Sequence, residues 1–255
     1  MRRLRAFAPE IPTVGGVFDL DPEESKHLAQ VLRVAPGQAL DVVDGRGTLA
    51  QCLVEEASKR AVALRVERRS TPGCAPAPLE LAVGLTKSDA YEDLIQRAVE
   101  LGATRFVPLL CEHSVVRLDA KREASRLDRW RRIALAGLKQ CERLWSMEIA
   151  ESASVEEYVS NGGGALFALL ERTDGGAEVL RVAAAGPVRI CVGPEGGWSA
   201  GERALLEARG TGASLGAAVL RTETAALAAL AVVGLFRTSN AAHDPARGAG
   251  EGGSR

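Results

Sequence analysis

Two glycine-bearing segments in the second half of the chain have the residue types to bind a ligand through main-chain groups. The first, Val192-Gly193-Pro194-Glu195-Gly196-Gly197-Trp198, follows a predicted buried strand and precedes a helix-start signal; we call it the glycine loop. Its glycines let N–H and C=O groups approach a ligand closely, and Pro194 stiffens the loop. A tight strand-to-helix turn would explain one glycine but not three. The segment therefore favours a ligand-binding loop.

The second segment runs from Leu215 to Ala225 and contains Arg221-Thr222-Glu223. Capping of the following helix by Thr222, with Glu223 near its positive end, is a sufficient structural explanation for both residues. Arg221 precedes an apolar helix, so its side chain must either leave the core or find an acidic or phosphate partner. The chain has no Rossmann fingerprint, since the Gly210–Leu215 stretch lacks the third glycine, and it has no Walker sequence.

Composition excludes several other kinds of site. The five cysteines are widely spaced, form no Cys-x-x-Cys pair, and are accompanied by only three histidines, so buried thiols are expected rather than a metal site or a disulfide framework. The net charge is −1, but residues 117–143 contain nine Lys/Arg against four Asp/Glu. That stretch could contact phosphates or form a solvated helix face, and charge alone leaves both open.

No targeting or membrane segment is predicted. The longest candidate span, residues 224–236, has 13 uncharged residues, fewer than the roughly 20 that a bilayer requires. The basic start of the chain is followed by no apolar run, so it does not resemble a secretory signal. The sequence therefore predicts a cytoplasmic protein without membrane contact.

Two domains must position these segments. Residues 1–70 are predicted to form a small β-barrel, because short β-branched runs alternate with glycine turns, and Asp21-Pro22-Glu23-Glu24 starts one helix that carries Leu28, Val31 and Leu32 inward. Residues 71–78, rich in proline, are predicted to be a linker. The predicted strands are Val17–Leu20, Ala39–Val43, Thr48–Glu55 and Ala61–Val66.

Residues 79–238 alternate between strand and helix patterns, which predicts a mostly parallel sheet covered by helices. Capping signals at Asp89 and Ser199 start two of the helices, and a weaker helix is expected near residues 174–184. Residues 239–255, rich in Gly, Ala and charge, are predicted to be a disordered tail. The predicted strands are Leu79–Leu85, Phe106–Leu110, Ala165–Leu170 and Val188–Val192.

Six short segments, taken in order, carry a family likeness. They are His27-Leu28-Ala29-Gln30-Val31-Leu32-Arg33, Glu100-Leu101-Gly102, Arg129-Trp130, Lys139-Gln140-Cys141-Glu142-Arg143, Gly193-Pro194-Glu195-Gly196-Gly197 and Leu220-Arg221-Thr222-Glu223-Thr224-Ala225. Together with a small β domain followed by an α/β domain, they resemble the RsmE family of SPOUT RNA methyltransferases over residues 1–238. The resemblance implies a PUA-like RNA-binding β-barrel, a C-terminal knotted α/β (SPOUT-like) domain and a homodimer. It also implies transfer of a methyl group from S-adenosylmethionine to N3 of a uridine in 16S ribosomal RNA, during maturation of that RNA.

The resemblance also assigns roles to residues. Glycines at the two segments would avoid collision with the cofactor, and leucines would supply apolar walls for adenine. The expected cofactor-binding residues are Leu170, Gly193, Pro194, Gly196, Gly197, Leu215, Gly216 and Leu220. The expected RNA-binding residues are Arg5, Arg33, Lys59, Arg60 and Arg143.

The chemistry of the implied substrate sets what catalysis requires. N3 of uracil lies on the Watson–Crick edge and carries a weakly acidic proton, so the base must be unpaired and the proton must be removed. We expect Arg221 to stabilise developing negative charge on the uracil oxygens or an RNA phosphate, with Glu195 or Glu223 as an orienting or proton-accepting carboxylate. No metal is required.

Two alternatives remain beside this hypothesis. Ala90, His113 and Ala218 stand where family members commonly carry basic residues, which leaves open a non-catalytic RNA-binding protein that retains the methyltransferase fold. Ribose methylation is disfavoured because the His27–Arg33 segment indicates the RsmE arrangement. The sequence does not decide between free RNA and an assembled ribosomal subunit as substrate.

Overall fold

The computed structural model describes residues 3–58, 61–71, 73–86, 88–114, 120–170 and 186–242. Residue contacts divide the chain into two compact units. The first unit comprises Met1–Pro76 and Arg132–Met147, and the second comprises Ala77–Arg131 and Glu148–Arg255. The sequence places Arg132–Met147 in the second domain instead, because local patterns carry no record of the long-range contacts that this segment makes.

Three contacts bind that segment within the first unit. Lys139 forms an ion pair with Glu24, and Ser146 N donates to Gly45 O at 2.9 Å. The ring of Trp145 lies so close to Gly47 that an added Cβ would come within 2.5 Å of Cζ2. These contacts explain the grouping.

The first unit is built on a five-stranded sheet with the order β1-β3-β4-β5-β2. β1 runs parallel to β3, and the other pairs are antiparallel. The four strands predicted here are confirmed, while β1 is too short to give a pattern. The core includes the fully buried Leu28, Leu40 and Leu64. The strands are β1 (Arg5–Phe7), β2 (Val17–Asp19), β3 (Ala39–Val43), β4 (Leu49–Ala57) and β5 (Val62–Ser70).

The helix in this unit begins as predicted but ends differently. α1 (Pro22–Lys26) is capped by Asp21, whose Oδ1 accepts from the N–H groups of Glu23 and Glu24 at 2.8 and 3.0 Å. It continues into a π-helical turn, His27–Val31.

The inward orientation predicted for Val31 and Leu32 is wrong, since these side chains are 66% and 37% exposed. The wider π turn rotates them away from the core. Arg33 then takes φ +53°, and Val34 is buried in their place.

The second unit contains a parallel sheet with the order β12-β10-β11-β6-β7-β8, and β9 also pairs with β7. This confirms the predicted parallel sheet. The predicted strands read as continuous apolar runs because strands of such a sheet are buried on both faces. The short strands β8, β9 and β12 were not predicted. The strands are β6 (Leu79–Gly84), β7 (Arg105–Leu110), β8 (Glu148–Ile149), β9 (Ala153–Ser154), β10 (Ala165–Leu169), β11 (Val188–Val192) and β12 (Thr211–Ala213).

The helices of the second unit follow the predicted pattern with differences at their ends. They are α2 (Ser88–Glu100), α3 (Ala120–Gln140), α4 (Val155–Ser160), α5 (Ala200–Arg209) and α6 (Thr222–Ala242), α3 contributing its last residues to the first unit. The capping box predicted at Ser199 is present with Glu202, whereas α2 begins one residue before the predicted cap at Asp89. The helix expected near residues 174–184 lies outside the described residues.

The last helix extends into the predicted tail. α6 continues to Ala242, so the prediction of disorder is wrong for residues 239–242. The composition of residues 239–255 suggested a tail, but residues 239–244 contain neither glycine nor proline, and the first helix-breaking residue of this stretch is Pro245. Residues 243–255 lie outside the described residues. Among the described helices, none is long and apolar enough to cross a membrane.

Candidate active site

A cavity of about 550 Å³ opens where three neighbouring strands of the parallel sheet end. Its walls come from the segments that follow the carboxyl ends of β10, β11 and β12 and from the first turn of α6. Ligands of open α/β sheets bind at this edge, and the volume lies within the range of roughly 300–1,000 Å³ that small-molecule sites occupy. The fold therefore brings together loops that are distant in sequence.

All eight residues expected to bind the cofactor line this cavity. They are Leu170, Gly193, Pro194, Gly196, Gly197, Leu215, Gly216 and Leu220. Val192 and Trp198, the two ends of the loop predicted to bind a ligand, also line the cavity. The sequence did not indicate Arg203 and Ser214, which line it as well. Arg203 lies inside a helix, where its sequence position gave no signal.

Two side-chain hydrogen bonds join the loops to one another. Trp198 Nε1 donates to Leu169 O at 3.1 Å, which ties the loop after β11 to the end of β10. Thr222 Oγ1 donates to Gly193 O at 3.0 Å, which ties the same loop to the start of α6. The Thr222 hydroxyl therefore holds the glycine loop and does not cap its own helix.

The glycines of the first loop have separate structural reasons. Gly197 takes φ +70° and closes a turn by donating to Pro194 O at 2.9 Å, a conformation that favours glycine. At Gly196 an added Cβ would lie 2.9 Å from both the Cβ and the carbonyl oxygen of His113. Close packing of another chain segment therefore requires glycine there.

The three residues expected to be catalytic are not among the described residues that line the cavity. Arg221 is exposed just before α6, and its carbonyl accepts from Ala225 N at 2.9 Å. Glu195 is exposed in the turn of the glycine loop, and Glu223 is half-buried in the first turn of α6. Each adjoins a cavity-lining residue, and their roles stay predictions.

The residues expected to bind RNA belong to the first unit where they are described. Arg5 Nη1 donates to Arg143 O at 3.4 Å, so these two residues lie together. Burial lowers the pKa of the Arg143 guanidinium. Arg33 is exposed at the end of the π-helical turn. Lys59 and Arg60 lie outside the described residues.

The thiols near the sheet are protonated at neutral pH. Burial raises the pKa of Cys111 to about 12, with a further contribution from the negative charge of Glu202. Burial also raises the pKa of Cys191 well above its ordinary value. Of the five cysteines, all free, Cys74 is exposed and Cys141 half-buried, so the expectation of burial holds for Cys52, Cys111 and Cys191.

Comparison with known proteins identifies the two parts of the chain. Residues 74–234 match the family model of the RNA methyltransferase domain, and residues 20–67 match that of the RNA methyltransferase PUA domain. These matches and the solved relatives confirm the predicted fold class, a SPOUT-like α/β methyltransferase domain with an N-terminal PUA-like domain. A knot stays a prediction, because residues 171–185 between β10 and β11 lie outside the described residues.

Individual relatives agree with these matches. The chain is 34% identical over 239 residues to the ribosomal RNA small subunit methyltransferase E of Mycobacterium bovis, covering 90% of each chain. It is similar to the crystal structure of that enzyme from Neisseria gonorrhoeae bound to S-adenosylmethionine, with a TM-score of 0.84, 29% identity, and coverage of 90% of this chain and 96% of that one. A methyltransferase of Legionella pneumophila, solved with bound S-adenosylmethionine, gives a TM-score of 0.85 at 27% identity, covering 91% and 97% of the two chains. Because the domain match spans more than half of the sequence and the mycobacterial likeness nearly all of it, the chain belongs to the ribosomal RNA small subunit methyltransferase E family.

Proposed function

We propose that this protein transfers a methyl group from S-adenosylmethionine to N3 of a uridine in 16S ribosomal RNA, as a step in maturation of that RNA. The observation that carries the proposal is the cavity at the ends of β10, β11 and β12, where all eight expected cofactor-binding residues meet. Membership of a methyltransferase family favours this reaction over the non-catalytic alternative.

The residues around the cavity fit S-adenosylmethionine. Leu170, Leu215 and Leu220 give it apolar surface suited to an adenine ring. The turn from Pro194 to Gly197 brings main-chain groups to the cavity without side chains at its last two positions, which suits the polar ribose and amino-acid parts. S-adenosylmethionine, when bound, supplies an electrophilic methyl group on a sulfonium.

The chain's own residues must orient the uracil and manage its charge. Negative charge develops on the uracil oxygens as N3 loses its proton. We expect the exposed Arg221, whose chain neighbours Leu220 and Thr222 line the cavity, to stabilise that charge. Glu195 and Glu223, which also adjoin the cavity, are proposed to orient the base or to accept its proton.

RNA binding is proposed for the PUA-like domain. Arg5, Arg33 and Arg143 would contact phosphates, together with Lys59 and Arg60, and would provide affinity with little sequence reading. The proposal also includes the domain boundaries 1–70, 71–78 and 79–238, with the segment Arg132–Met147 inserted from the second domain into the first unit. A homodimeric assembly and a cytoplasmic location are its remaining parts.

A methylation assay tests the proposal. Purified protein is incubated with S-adenosylmethionine carrying a deuterated methyl group and with 16S RNA, either free or in assembled small subunits, and nuclease digests are analysed by mass spectrometry. We expect deuterated 3-methyluridine, and the two arms show which substrate form is used. A label on ribose would instead support the ribose methyltransferase, and RNA binding without any label would support the non-catalytic protein.

A further inference from the structure

A four-residue turn after β7 places a histidine against the cavity wall. The turn is closed at both ends, because Ser114 N donates to Cys111 O at 3.1 Å and Cys111 N donates to Ser114 Oγ at 3.3 Å. His113 is exposed within this turn, and its Nδ1 lies 3.2 Å from the carbonyl oxygen of Gly196. Gly196 lines the cavity, so the imidazole stands one residue from the proposed cofactor site.

The position of this turn is fixed by two further features. The Glu202 carboxylate accepts from Glu112 N with one oxygen and from Ser199 N with the other, each at 2.9 Å, and thereby joins the turn to the start of α5. The missing Cβ of Gly196 allows the backbone of His113 to pack directly against the glycine loop. The imidazole is therefore held by the same loop that forms the cavity wall.

The hydrogen bond determines which ring nitrogen can accept a proton. A peptide carbonyl oxygen only accepts hydrogen bonds, so Nδ1 must carry the hydrogen. In the neutral imidazole the other nitrogen, Nε2, then has a free lone pair. Nε2 has no hydrogen-bond partner among the described residues.

Other acid–base groups near the cavity are less suitable. Both oxygens of Glu202 already accept main-chain N–H groups. The Cys111 thiol is buried, which raises its pKa to about 12. Glu195 and Glu223 lie, like His113, beside cavity-lining residues without lining the cavity themselves. Unlike His113, neither glutamate is oriented by a hydrogen bond among the described residues.

We propose that Nε2 of His113 is the general base that accepts the N3 proton of the target uridine, which leaves Glu195 and Glu223 with the orienting role. N3 forms a bond to the methyl carbon while the carbon–sulfur bond breaks and its electron pair remains on sulfur. The N3 proton moves to Nε2, and the resulting imidazolium returns it to water. The inference rests on the proposed function, since it names the base for that reaction.

The test compares variants at one position under single-turnover conditions. His113→Gln keeps a donor that can reach Gly196 O but has no basic nitrogen, and His113→Gly leaves space for added imidazole. Glu112→Gln is the matched control, because it changes the neighbouring side chain and retains the turn. The readouts are the rate of 3-methyluridine formation, the affinity for S-adenosylhomocysteine by calorimetry, and the affinity for RNA.

We expect His113→Gln and His113→Gly to lose at least about 100-fold in rate, the lower range of general-base contributions, with ligand affinities within about threefold of wild type. Imidazole should restore part of the His113→Gly rate. RNA containing 5-fluorouridine at the target should reduce the loss in both variants, because fluorine makes N3 more acidic. Glu112→Gln should stay within about twofold of the wild-type rate.

Three results would overturn the inference. These are a His113→Gln rate near that of wild type, a loss explained by weaker ligand binding, or a loss that neither imidazole nor 5-fluorouridine relieves. A wild-type protein that forms no 3-methyluridine would instead contradict the proposed function, so the two failures are distinguishable.

Discussion

Replacement of Thr222 by valine tests whether one buried hydroxyl positions the ligand loop. The substitution preserves the shape and the β-branched character of the side chain but removes the donor to Gly193 O at 3.0 Å. A net hydrogen bond contributes about 0.5–1.5 kcal/mol, and an unsatisfied buried group costs about 1–3 kcal/mol. Because Thr222 is 6% exposed while Gly193 is only half-buried, we expect a loss of about 1–2 kcal/mol in the free energy of unfolding.

Thr224→Val is the matched control, because it makes the same chemical change at an exposed position of the same helix. Urea unfolding should show a change within about 0.5 kcal/mol for this variant. Calorimetry with S-adenosylmethionine should show weaker binding for Thr222→Val, up to about tenfold, because about 1.4 kcal/mol corresponds to that factor. Equal stabilities of the two variants, or lower stability of Thr222→Val with wild-type affinity, would refute the reasoning that this bond holds the loop for its ligand.

Three further predictions address the loop packing, the barrel core and the RNA surface. Gly84→Ala should lower the free energy of unfolding by about 1–3 kcal/mol and weaken cofactor binding, because the added Cβ would lie 2.5 Å from the backbone nitrogen of Pro194. Gly163→Ala is the control, since no atom lies within 4 Å of the added Cβ there. It should change neither the stability measured by urea unfolding nor the affinity measured by calorimetry. Burial raises the pKa of Cys52 from 9.0 to about 12, so the stability due to its neutral thiol is complete below pH 9.0 and is lost as the pH rises through about 12. Chemical unfolding at several pH values should therefore show that the free energy of unfolding falls less steeply over this window in Cys52→Ala than in the wild type. An identical fall in both proteins would contradict the pKa assigned to Cys52. Arg33→Asn removes the positive charge, and asparagine tolerates the backbone φ of +53° that Arg33 adopts. If Arg33 contacts one phosphate, this variant should bind RNA more weakly, and the slope of log K against log salt should become shallower by about 0.7–0.9. An unchanged slope in a binding titration would exclude that contact.

The sequence predicted those parts of the site that depend on local pattern. The apolar run of β11 and the glycine loop after it are adjacent in sequence, so their junction was visible without a structure. That Leu170 and Leu215 would meet this loop came from the family resemblance, and it requires β10 and β12 to be neighbours in the sheet, as they are.

Contacts between distant segments could not be predicted in this way. The bond from Trp198 to Leu169 and the contact of His113 with Gly196 join residues separated by 29 and 83 positions. The inward assignment of Val31 failed for a local reason, since a π-helical turn shifts the side chains relative to the 3.6-residue period that the prediction assumed.

A crystal structure of this protein with S-adenosylhomocysteine tests most directly whether the loops of the parallel sheet form the cofactor site. We expect ligand density in the cavity between the loops after β10, β11 and β12, with the adenine against Leu170, Leu215 and Leu220. Well-defined ligand density elsewhere on the chain, with only solvent in this cavity, would contradict it.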